Sequence, residues 1–128
     1  MRTHTIIIIM SAMFIFSLHG CSKKEEFSNI EVSITKENID KGKILYQTNC
    51  VSCHGPEGKG DGPASVNLNP KPRNHTDKAY MEKIPNGRIF DVVKKGGVIV
   101  GFPQMPANPQ LKDEDIKNLI AFIRSIAK

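Results

Sequence analysis

Two cysteines and a histidine stand within five residues of each other, in the segment Cys50-Val51-Ser52-Cys53-His54. Residues i and i+3 of a helical turn lie on one face, so both thiols of this segment can reach a single bound group. Side chains of these types at this spacing serve three kinds of chemistry. They bind structural zinc, exchange electrons as a dithiol, or attach a c-type haem whose iron takes the histidine as a ligand.

The residues around this segment separate the three possibilities. A structural zinc site needs four ligands, and beyond the motif only His75 and carboxylates are available after Cys21. A thioredoxin-like dithiol needs a βαβ context, whereas the flanking pattern here is a helix followed by a loop. The sequence therefore predicts one haem c, held covalently through Cys50 and Cys53, with His54 as an iron ligand.

The composition fits a protein whose core is completed by a cofactor. The chain has 128 residues, 24% of them charged, and a formal net charge of +5. This length fits one domain, and the charge is that of a mildly basic soluble protein. Six Phe, two Tyr and no Trp leave little aromatic material for a core. Domains of about 100 residues or fewer bury a modest share of their surface and often need a cofactor or cross-link.

The N-terminus is typical of a secretory signal peptide. Arg2 precedes thirteen mostly apolar residues, Ile6 to Leu18, a run too short to span a membrane comfortably. The next segment, Leu18-His19-Gly20-Cys21, resembles the lipobox of bacterial lipoproteins, although a small residue is more usual at the position of His19. An ordinary signal peptide followed by an incidental cysteine is the alternative. We expect residues 1–20 to be removed and Cys21 to be lipidated.

Residues 21–34 are predicted to form a flexible tether between the lipid and the domain, because they carry many charges and little apolar pattern. A short strand at Ile30–Ile34 is the alternative. The haem domain is then expected to occupy residues 35–128. Export agrees with the haem prediction, since c-type haem is attached outside the cytoplasm. The expected location is periplasmic or extracytoplasmic, with a lipid anchor.

Helices are predicted on both sides of the haem segment. The first is expected from about Thr35 to Asn49 and the last from about Asp113 to Ala127. The first has an apolar face at helical spacing, and the last has acidic residues at its start. A shorter helix is expected over Gly87 to Lys95, with Asn86 as N-cap and Gly96 as C-cap, and a turn of helix after Thr76. Gly42 inside the first helix predicts a close helix crossing, with Phe122 as the side chain that lies over it.

A second iron ligand is expected from a methionine downstream. Met105 lies in the segment Gly101 to Pro109, with prolines on both sides. Fixed proline φ angles stiffen such a loop, and a stiff loop can hold a thioether on iron with little ordering cost. Met81 is interpreted as a partly buried helical residue. His75 is the minor alternative ligand, and a solvated loop histidine is the simpler interpretation of that residue.

Residues from about Thr35 to Lys128 resemble a small bacterial class I cytochrome c with one haem. Five segments carry the resemblance: Gly42-x-x-x-Tyr46 before the haem motif, Gly62-Pro63-Ala64, Val93-Lys94-Lys95-Gly96, Met105-Pro106-Ala107-Asn108 and Leu119-x-x-Phe122-Ile123. The resemblance implies an all-α fold in which the N- and C-terminal helices cross and loops enclose the haem. It also implies His54/Met105 ligation of the iron.

Two supporting roles are carried over from the same resemblance. The Pro63 carbonyl would accept the second ring N–H of His54, with Pro70 and Pro72 as rivals for that role. Asn108 would hydrogen-bond near the Met105 sulfur or a haem propionate. Arg73 or Tyr80 would take the place of the tryptophan that contacts a propionate in related proteins.

Iron with protein ligands on both faces predicts outer-sphere cycling between Fe(II) and Fe(III). The protein is then an electron carrier rather than an enzyme. Expected partners are a quinol-oxidising complex, a terminal oxidase or reductase, and the membrane through the lipid anchor; no nucleic-acid partner is expected. Five basic residues could surround the exposed haem edge and steer an acidic partner: Lys59, Lys71, Arg73, Lys94 and Lys95.

Two alternatives keep the haem. One makes the chain a fixed subunit of a larger respiratory oxidoreductase complex. The other is a ligand-binding or peroxidatic haem protein, in which Met105 is absent from the iron or is easily displaced.

Overall fold

The computed structural model describes residues 26–128, and the predicted signal peptide and Cys21 lie outside them. Five α-helices follow along the chain: α1 (Lys36–Asn49), α2 (Val51–His54), α3 (Lys78–Met81), α4 (Asn86–Lys95) and α5 (Asp113–Ile126). Two short 3₁₀ turns, Pro63–Ser65 and Gly97–Val100, lie in the connections. No strand occurs within the described residues, so the all-α prediction is confirmed. In this part of the chain, no helix combines the length and the apolar character needed to cross a membrane.

Helix α1 begins where the sequence predicts. Thr35 has extended backbone angles, and its side-chain oxygen accepts a hydrogen bond from the Asn38 backbone N–H at 3.2 Å. This contact satisfies one of the backbone donors that a helix start leaves unpaired. Gly42 and Tyr46 form the buried face of α1, whereas Lys43, which also lies at helical spacing from Ile39, is exposed.

Helices α1 and α5 cross in direct backbone contact. A Cβ atom added at Gly42 would lie 1.9 Å from the Asn118 carbonyl oxygen and 2.9 Å from the Phe122 Cβ. The Phe122 ring packs against the fully buried Tyr46 ring, with 5.0 Å between the ring centroids. The predicted crossing of the N- and C-terminal helices is therefore confirmed, and the glycine explains how closely they approach.

Helix α5 supplies most of the protein core. Asp113, Glu114 and Asp115 occupy its first turn, where the helix dipole favours negative charge. Asp115 also accepts a hydrogen bond from the Lys112 backbone N–H at 3.1 Å. Every described helix except α2 contributes to the core cluster. Its members are Tyr46, Met81, Phe90, Val93, Leu111, Ile116, Leu119, Ile120, Phe122 and Ile123.

The predicted N-cap of α4 is wrong by one position. Asn86 is the first helical residue, and the extended residue before it is Pro85. Proline has no N–H to lose and holds its φ angle, so it is suited to a helix start. The Asn86 side chain instead accepts a hydrogen bond from the Arg124 Nε–H at 2.9 Å, which ties the start of α4 to the end of α5. Gly96 ends the helix as predicted.

Residues 27–32, called the N-terminal strap below, are attached to the domain. The Ser28 backbone N–H and hydroxyl donate to the two carboxylate oxygens of Asp91, at 2.8 and 3.0 Å. Ile30 and Val32 pack against the core. The flexible tether predicted for residues 21–34 is therefore wrong for the strap. Local polarity suggested a tether, but the partner of Ser28 lies 63 positions away on α4.

Candidate functional site

The haem-attachment segment directly continues the first long helix. Cys50 leaves helical geometry with φ −122°, and its backbone N–H donates to the Tyr46 carbonyl at 2.9 Å. The chain then turns through α2, where the His54 N–H donates to the Cys50 carbonyl at 2.9 Å. Both Cys50 and Cys53 are half-buried free thiols. One helical turn thus presents two thiols and an imidazole, as the spacing predicts.

These side chains line a largely apolar cavity between α2, α4, α5 and the loops. Cys50, Cys53 and His54 form part of its wall. Aliphatic and aromatic side chains supply much of the remainder, among them Leu68, Tyr80, Ile84, Ile89, Val92, Val100, Phe102, Leu119 and Ile123. Met105 also lines this cavity. The structure therefore brings together the two predicted attachment residues and both predicted iron ligands.

Burial affects the ionisation of Cys50. It raises the pKa of the Cys50 thiol to about 12, and the neighbouring Cys53 adds to the effect. Cys50 is consequently a neutral thiol near neutral pH. Within residues 26–128, no three His, Cys, Asp or Glu side chains are grouped so that they could hold a metal ion, and the zinc alternative has no ligand set there.

The His54 ring is oriented by a backbone carbonyl. Its Nδ1–H donates to the Arg73 carbonyl at 3.1 Å. A carbonyl can only accept, so Nδ1 carries the proton and Nε2 keeps its lone pair for a metal. Burial lowers the pKa of His54, and the hydrogen bond to Arg73 opposes this only in part. A buried, neutral imidazole with Nδ1 engaged is the arrangement that an iron-ligating histidine requires.

The predicted role of Pro63 is wrong in this structure. Pro63 begins a 3₁₀ turn, is itself exposed and does not line the cavity. The carbonyl that His54 uses belongs to Arg73, ten positions further along, next to the rival Pro72. Both residues lie in the loop that follows α2, and the loop path decides which carbonyl arrives at the imidazole. A motif alone does not determine that path.

The loop that carries Met105 is held by short backbone contacts. The Gly97 N–H donates to the Met105 carbonyl at 2.9 Å, and the Met105 N–H donates to the Phe102 carbonyl at 3.1 Å. A Cβ added at Gly97 would lie 2.3 Å from the Phe102 oxygen and 2.9 Å from the Met105 Cβ. Sequence reasoning used Gly96 as a helix cap and missed Gly97. The adjacent glycines Gly96 and Gly97 were the available signal.

Asn108 does not bind the Met105 sulfur. Its side-chain amide donates to the Val93 carbonyl at 3.3 Å and to the Pro106 carbonyl at 3.4 Å. Its backbone N–H also donates to Val93, at 3.0 Å. Asn108 lines the cavity, but its contacts tie the methionine loop to the end of α4. Its amide thus contacts backbone carbonyls rather than the sulfur, and the alternative contact with a haem propionate stays a prediction.

His75 occupies an unexpected position. Its ring stacks on the His54 ring, with 4.3 Å between centroids and an angle of 17° between the planes. Two nearly parallel rings this close are stacked face to face, so His75 cannot bind an iron on the side opposite His54. The solvated-loop interpretation is also wrong, since the His75 Nδ1 is enclosed. Burial lowers the pKa of His75 to about 3, and electrostatic interactions with His54 and Arg73 act in the same direction.

Only part of the predicted basic ring borders the cavity. Lys71 and Arg73 line it. Lys59 pairs with Glu57, Lys94 with Asp113 and Lys95 with Asp91, and none of the three lysines lines the cavity. The Arg73 guanidinium lies 4.3 Å from the centre of the Tyr80 ring, so the two residues proposed to replace a tryptophan are stacked on each other.

The donor set fits a c-type haem. The cavity is lined by two free thiols at the required spacing, by the His54 imidazole with its Nε2 free, and by the Met105 thioether, all set among apolar side chains. Thiols can bond to the porphyrin edge, and imidazole with thioether is a ligand pair that haem iron accepts. Met81 also borders the cavity, but it is 3% exposed and belongs to the core cluster, so it is more buried than the sequence predicts.

Comparison with known proteins agrees with this site. The profile of the family described as Cytochrome c matches residues 39–127. A stretch of 89 residues, 70% of this chain, is 33% identical to a quinohemoprotein alcohol dehydrogenase of Comamonas testosteroni, and it spans 11% of that relative's length. Among solved structures, the reducing HAO-like protein complex of Kuenenia stuttgartiensis contains a chain with the same fold. That match has a TM-score of 0.60 and 22% identity, and it covers 78% of this chain and 48% of the other.

The family match extends from α1 to the end of α5 and includes every residue that lines the cavity. Proteins of this family carry a covalent haem c bound through a cysteine pair, here Cys50 and Cys53, and serve in haem-based electron transfer. The predicted class I fold and the predicted cofactor are thus confirmed, and the chain belongs to the cytochrome c family.

Proposed function

We propose that this protein is an extracytoplasmic one-electron carrier whose haem iron is ligated by His54 and Met105. The observation that carries the proposal is the convergence of both residues on one apolar cavity, next to the two attachment cysteines. When bound, the haem supplies an iron that cycles between its ferrous and ferric states. His54 and Met105 would hold the iron from the protein and leave no place on it for a substrate, so the chemistry that the haem would supply is electron transfer.

The residues around the cavity favour the ferrous state. The Met105 thioether is a soft ligand that raises the reduction potential. Aliphatic side chains such as Val92, Leu119 and Ile123 exclude water and disfavour the extra positive charge of the ferric state. The Arg73 carbonyl opposes this in part, because it accepts the His54 Nδ1–H and raises the basicity of the imidazole. We therefore expect the reduction potential of this carrier to be positive.

Addition of CO to the reduced holoprotein tests this function. A His54/Met105-ligated iron has no open position, so we expect the visible spectrum to stay unchanged over minutes. Rapid CO binding would contradict the proposal and would favour a ligand-binding haem.

Hot acid–acetone extraction tests the covalent attachment of the haem. We expect the wild type to retain haem and the variant Cys50→Ser with Cys53→Ser to release it.

We further propose that Cys21 is lipidated and anchors the carrier to a membrane. Its support is the segment Leu18-His19-Gly20-Cys21 after a short apolar run. The expected partners are a quinol-oxidising complex as donor and a terminal oxidase or reductase as acceptor. In cell fractionation, we expect the wild type in the membrane fraction and Cys21→Ser in the soluble fraction after export. Equal amounts of both proteins in the soluble fraction would contradict a lipid anchor at Cys21.

A specific observation favours a second function. The 33% identity is to part of a quinohemoprotein alcohol dehydrogenase, and the matched stretch spans 11% of that protein's length. The present chain would then be a separate subunit that binds a dehydrogenase permanently and receives electrons from it. Affinity purification from gently solubilised membranes separates the two functions. A free carrier elutes alone, whereas a fixed subunit elutes with a dehydrogenase at constant stoichiometry.

A further inference from the structure

Two imidazole rings lie face to face beside the cavity. The centroids of His54 and His75 are 4.3 Å apart and their planes differ by 17°. His75 is itself fixed from two sides. Its backbone N–H donates to the Gly58 carbonyl at 2.7 Å, and the edge of the Tyr46 ring lies against it with 6.1 Å between centroids. The His75 ring is therefore held in place by these contacts, and it stacks on the ring of the proposed iron ligand, His54.

The enclosed Nδ1 atom of His75 does not explain the position of its ring. Its Nδ1 is enclosed and forms no hydrogen bond with any described residue. An enclosed, unpaired nitrogen is costly, and a phenyl ring would fill the same space without that cost. The part of the His75 ring that contacts His54 is its flat face. Filling of space and stacking are the two roles left to separate.

The two contacts of His54 restrain different motions of its ring. The hydrogen bond from Nδ1 to the Arg73 carbonyl fixes where the ring edge points, but it leaves the ring free to tilt about that bond. A parallel ring at stacking distance opposes the tilt. Arg73 and His75 are two positions apart, so a single loop holds His54 by its edge and by its face.

We propose that His75 is a positioning residue that sets the plane in which His54 presents Nε2 to the haem iron. This inference rests on the proposed His54/Met105 ligation. A flat aromatic ring at position 75 can do this, whereas an aliphatic side chain of similar volume can fill the space but cannot restrain the tilt. The proposal concerns the neutral ring and its shape, and it involves no change of protonation.

The experiment compares His75→Phe with two aliphatic variants, His75→Leu and His75→Ile, all as holoproteins with covalent haem. The spread of the haem-methyl proton resonances in the ferric state reports the plane of the axial histidine, and the reduction potential is measured on the same samples. Thermal unfolding controls for general damage. Two aliphatic variants are included so that poor accumulation of one leaves the comparison intact.

We expect His75→Phe to keep the wild-type pattern of methyl resonances. The aliphatic variants should show a changed spread, or several sets of resonances from several ring orientations, even where their melting temperatures match that of His75→Phe. Their potentials should also depart from the wild-type value further than that of His75→Phe. Wild-type patterns in the aliphatic variants would overturn the proposal, as would an equal disturbance in the Phe variant.

The ferric spectrum of the wild type distinguishes a failure of the proposed role of His75 from a failure of the His54/Met105 ligation on which that role rests. A wild-type protein that lacks the ferric sulfur–iron charge-transfer band would overturn the His54/Met105 ligation, and the inference would fail with it. A wild type that has the band, together with aliphatic variants of unchanged methyl pattern, would overturn only the role of His75.

Discussion

Arg73 contributes to the site with both its backbone and its side chain. Its carbonyl accepts the His54 Nδ1–H, and its guanidinium lies 4.3 Å from the centre of the Tyr80 ring and 5.7 Å from that of Phe102. The Phe102 carbonyl in turn accepts the Met105 N–H at 3.1 Å. One residue therefore connects the loop that orients His54 with the loop that carries Met105.

We predict that Arg73→Gln loosens the Met105 loop while it leaves the carbonyl contact to His54 in place. Cation–π contacts at partly exposed sites contribute about 0.5–1 kcal/mol, which corresponds to about a two- to fivefold faster displacement of Met105 by added imidazole. Stopped-flow absorbance of the ferric protein measures this rate.

Lys71→Gln is the matched control for that substitution. It removes one positive charge from the same loop, but the Lys71 ammonium is bonded to the Ser65 and Val66 carbonyls. If both variants bind imidazole at the same rate, net charge explains the effect and the Arg73 connection does not.

The residues of the site were predictable where short spacing encodes them. Cys50, Cys53 and His54 share one helical turn, and Met105 is recognisable by its flanking prolines. The partners of those residues were not predictable in the same way. Whether the Pro63 or the Arg73 carbonyl meets His54 depends on the course of a 23-residue connection between α2 and α3, which no local pattern specifies.

At the scale of elements, the crossing of α1 and α5 depends on a missing side chain. A glycine within a helix costs about 1 kcal/mol relative to alanine, so its presence signals a close approach that a Cβ would prevent. The sequence therefore predicts this contact, even though the atom nearest to the added Cβ is the Asn118 carbonyl oxygen rather than Phe122.

We predict that Gly42→Ala lowers the free energy of unfolding by about 1–3 kcal/mol despite its better helix propensity, because overpacking separates the two helices. Denaturant unfolding of the holoprotein measures the change. Gln47→Ala, at an exposed position of the same helix, is the control and should stay within about 0.5 kcal/mol of wild type. A Gly42→Ala protein as stable as wild type would contradict the tight crossing.

The N-terminal strap is the element that the sequence did not predict. Asp91, with 4% of its side chain exposed, accepts from Ser28 and pairs with Lys95 at 2.7 Å. Burial raises the pKa of this carboxyl, but the hydrogen bonds from Lys95 and Ser28 together outweigh burial and lower it. A carboxyl with a lowered pKa stabilises the fold above its unfolded pKa of about 3.9 and loses that contribution as the pH falls.

We predict that Asp91→Asn destabilises the domain by about 1–3 kcal/mol at pH 7, because it weakens the contacts of a buried carboxylate. The difference from wild type should shrink as the pH falls below the unfolded-state pKa of about 3.9 and on through the lower pKa of the folded carboxyl, because the wild-type side chain then becomes protonated. Urea unfolding at a series of pH values measures this. Asp40→Asn, in an exposed pair with Lys36, should have little effect at any pH.

At the scale of the whole molecule, the haem completes the core. Leu111, Leu119 and Ile123 belong both to the buried cluster and to the cavity wall, so a group bound there packs directly on the protein interior. Composition indicated this arrangement from the small aromatic content. The way in which the loops close around the cavity could not be inferred, because it depends on long-range contacts such as that between Gln104 and the Asn69 carbonyl at 2.9 Å.

We predict that the variant Cys50→Ser with Cys53→Ser, produced without haem, unfolds at a clearly lower temperature than the holoprotein, since its apolar cavity is left unfilled. Circular dichroism during heating measures the difference. Ser52→Ala lies between the two cysteines, is exposed, and keeps both thiols, so it should unfold as the wild type does. Equal stability of the haem-free variant and the holoprotein would contradict a core that includes haem.

The most direct test of the account is the ferric sulfur–iron charge-transfer band at the red end of the visible spectrum, measured for wild type, Met105→Ala and Met81→Ala. Met105 is half-buried at the cavity wall, whereas Met81 is a core residue at the end of α3. The account predicts that wild type and Met81→Ala show the band and that Met105→Ala lacks it, with a lower reduction potential. A band that persists in Met105→Ala, or that is absent from the wild type, would contradict His54/Met105 ligation.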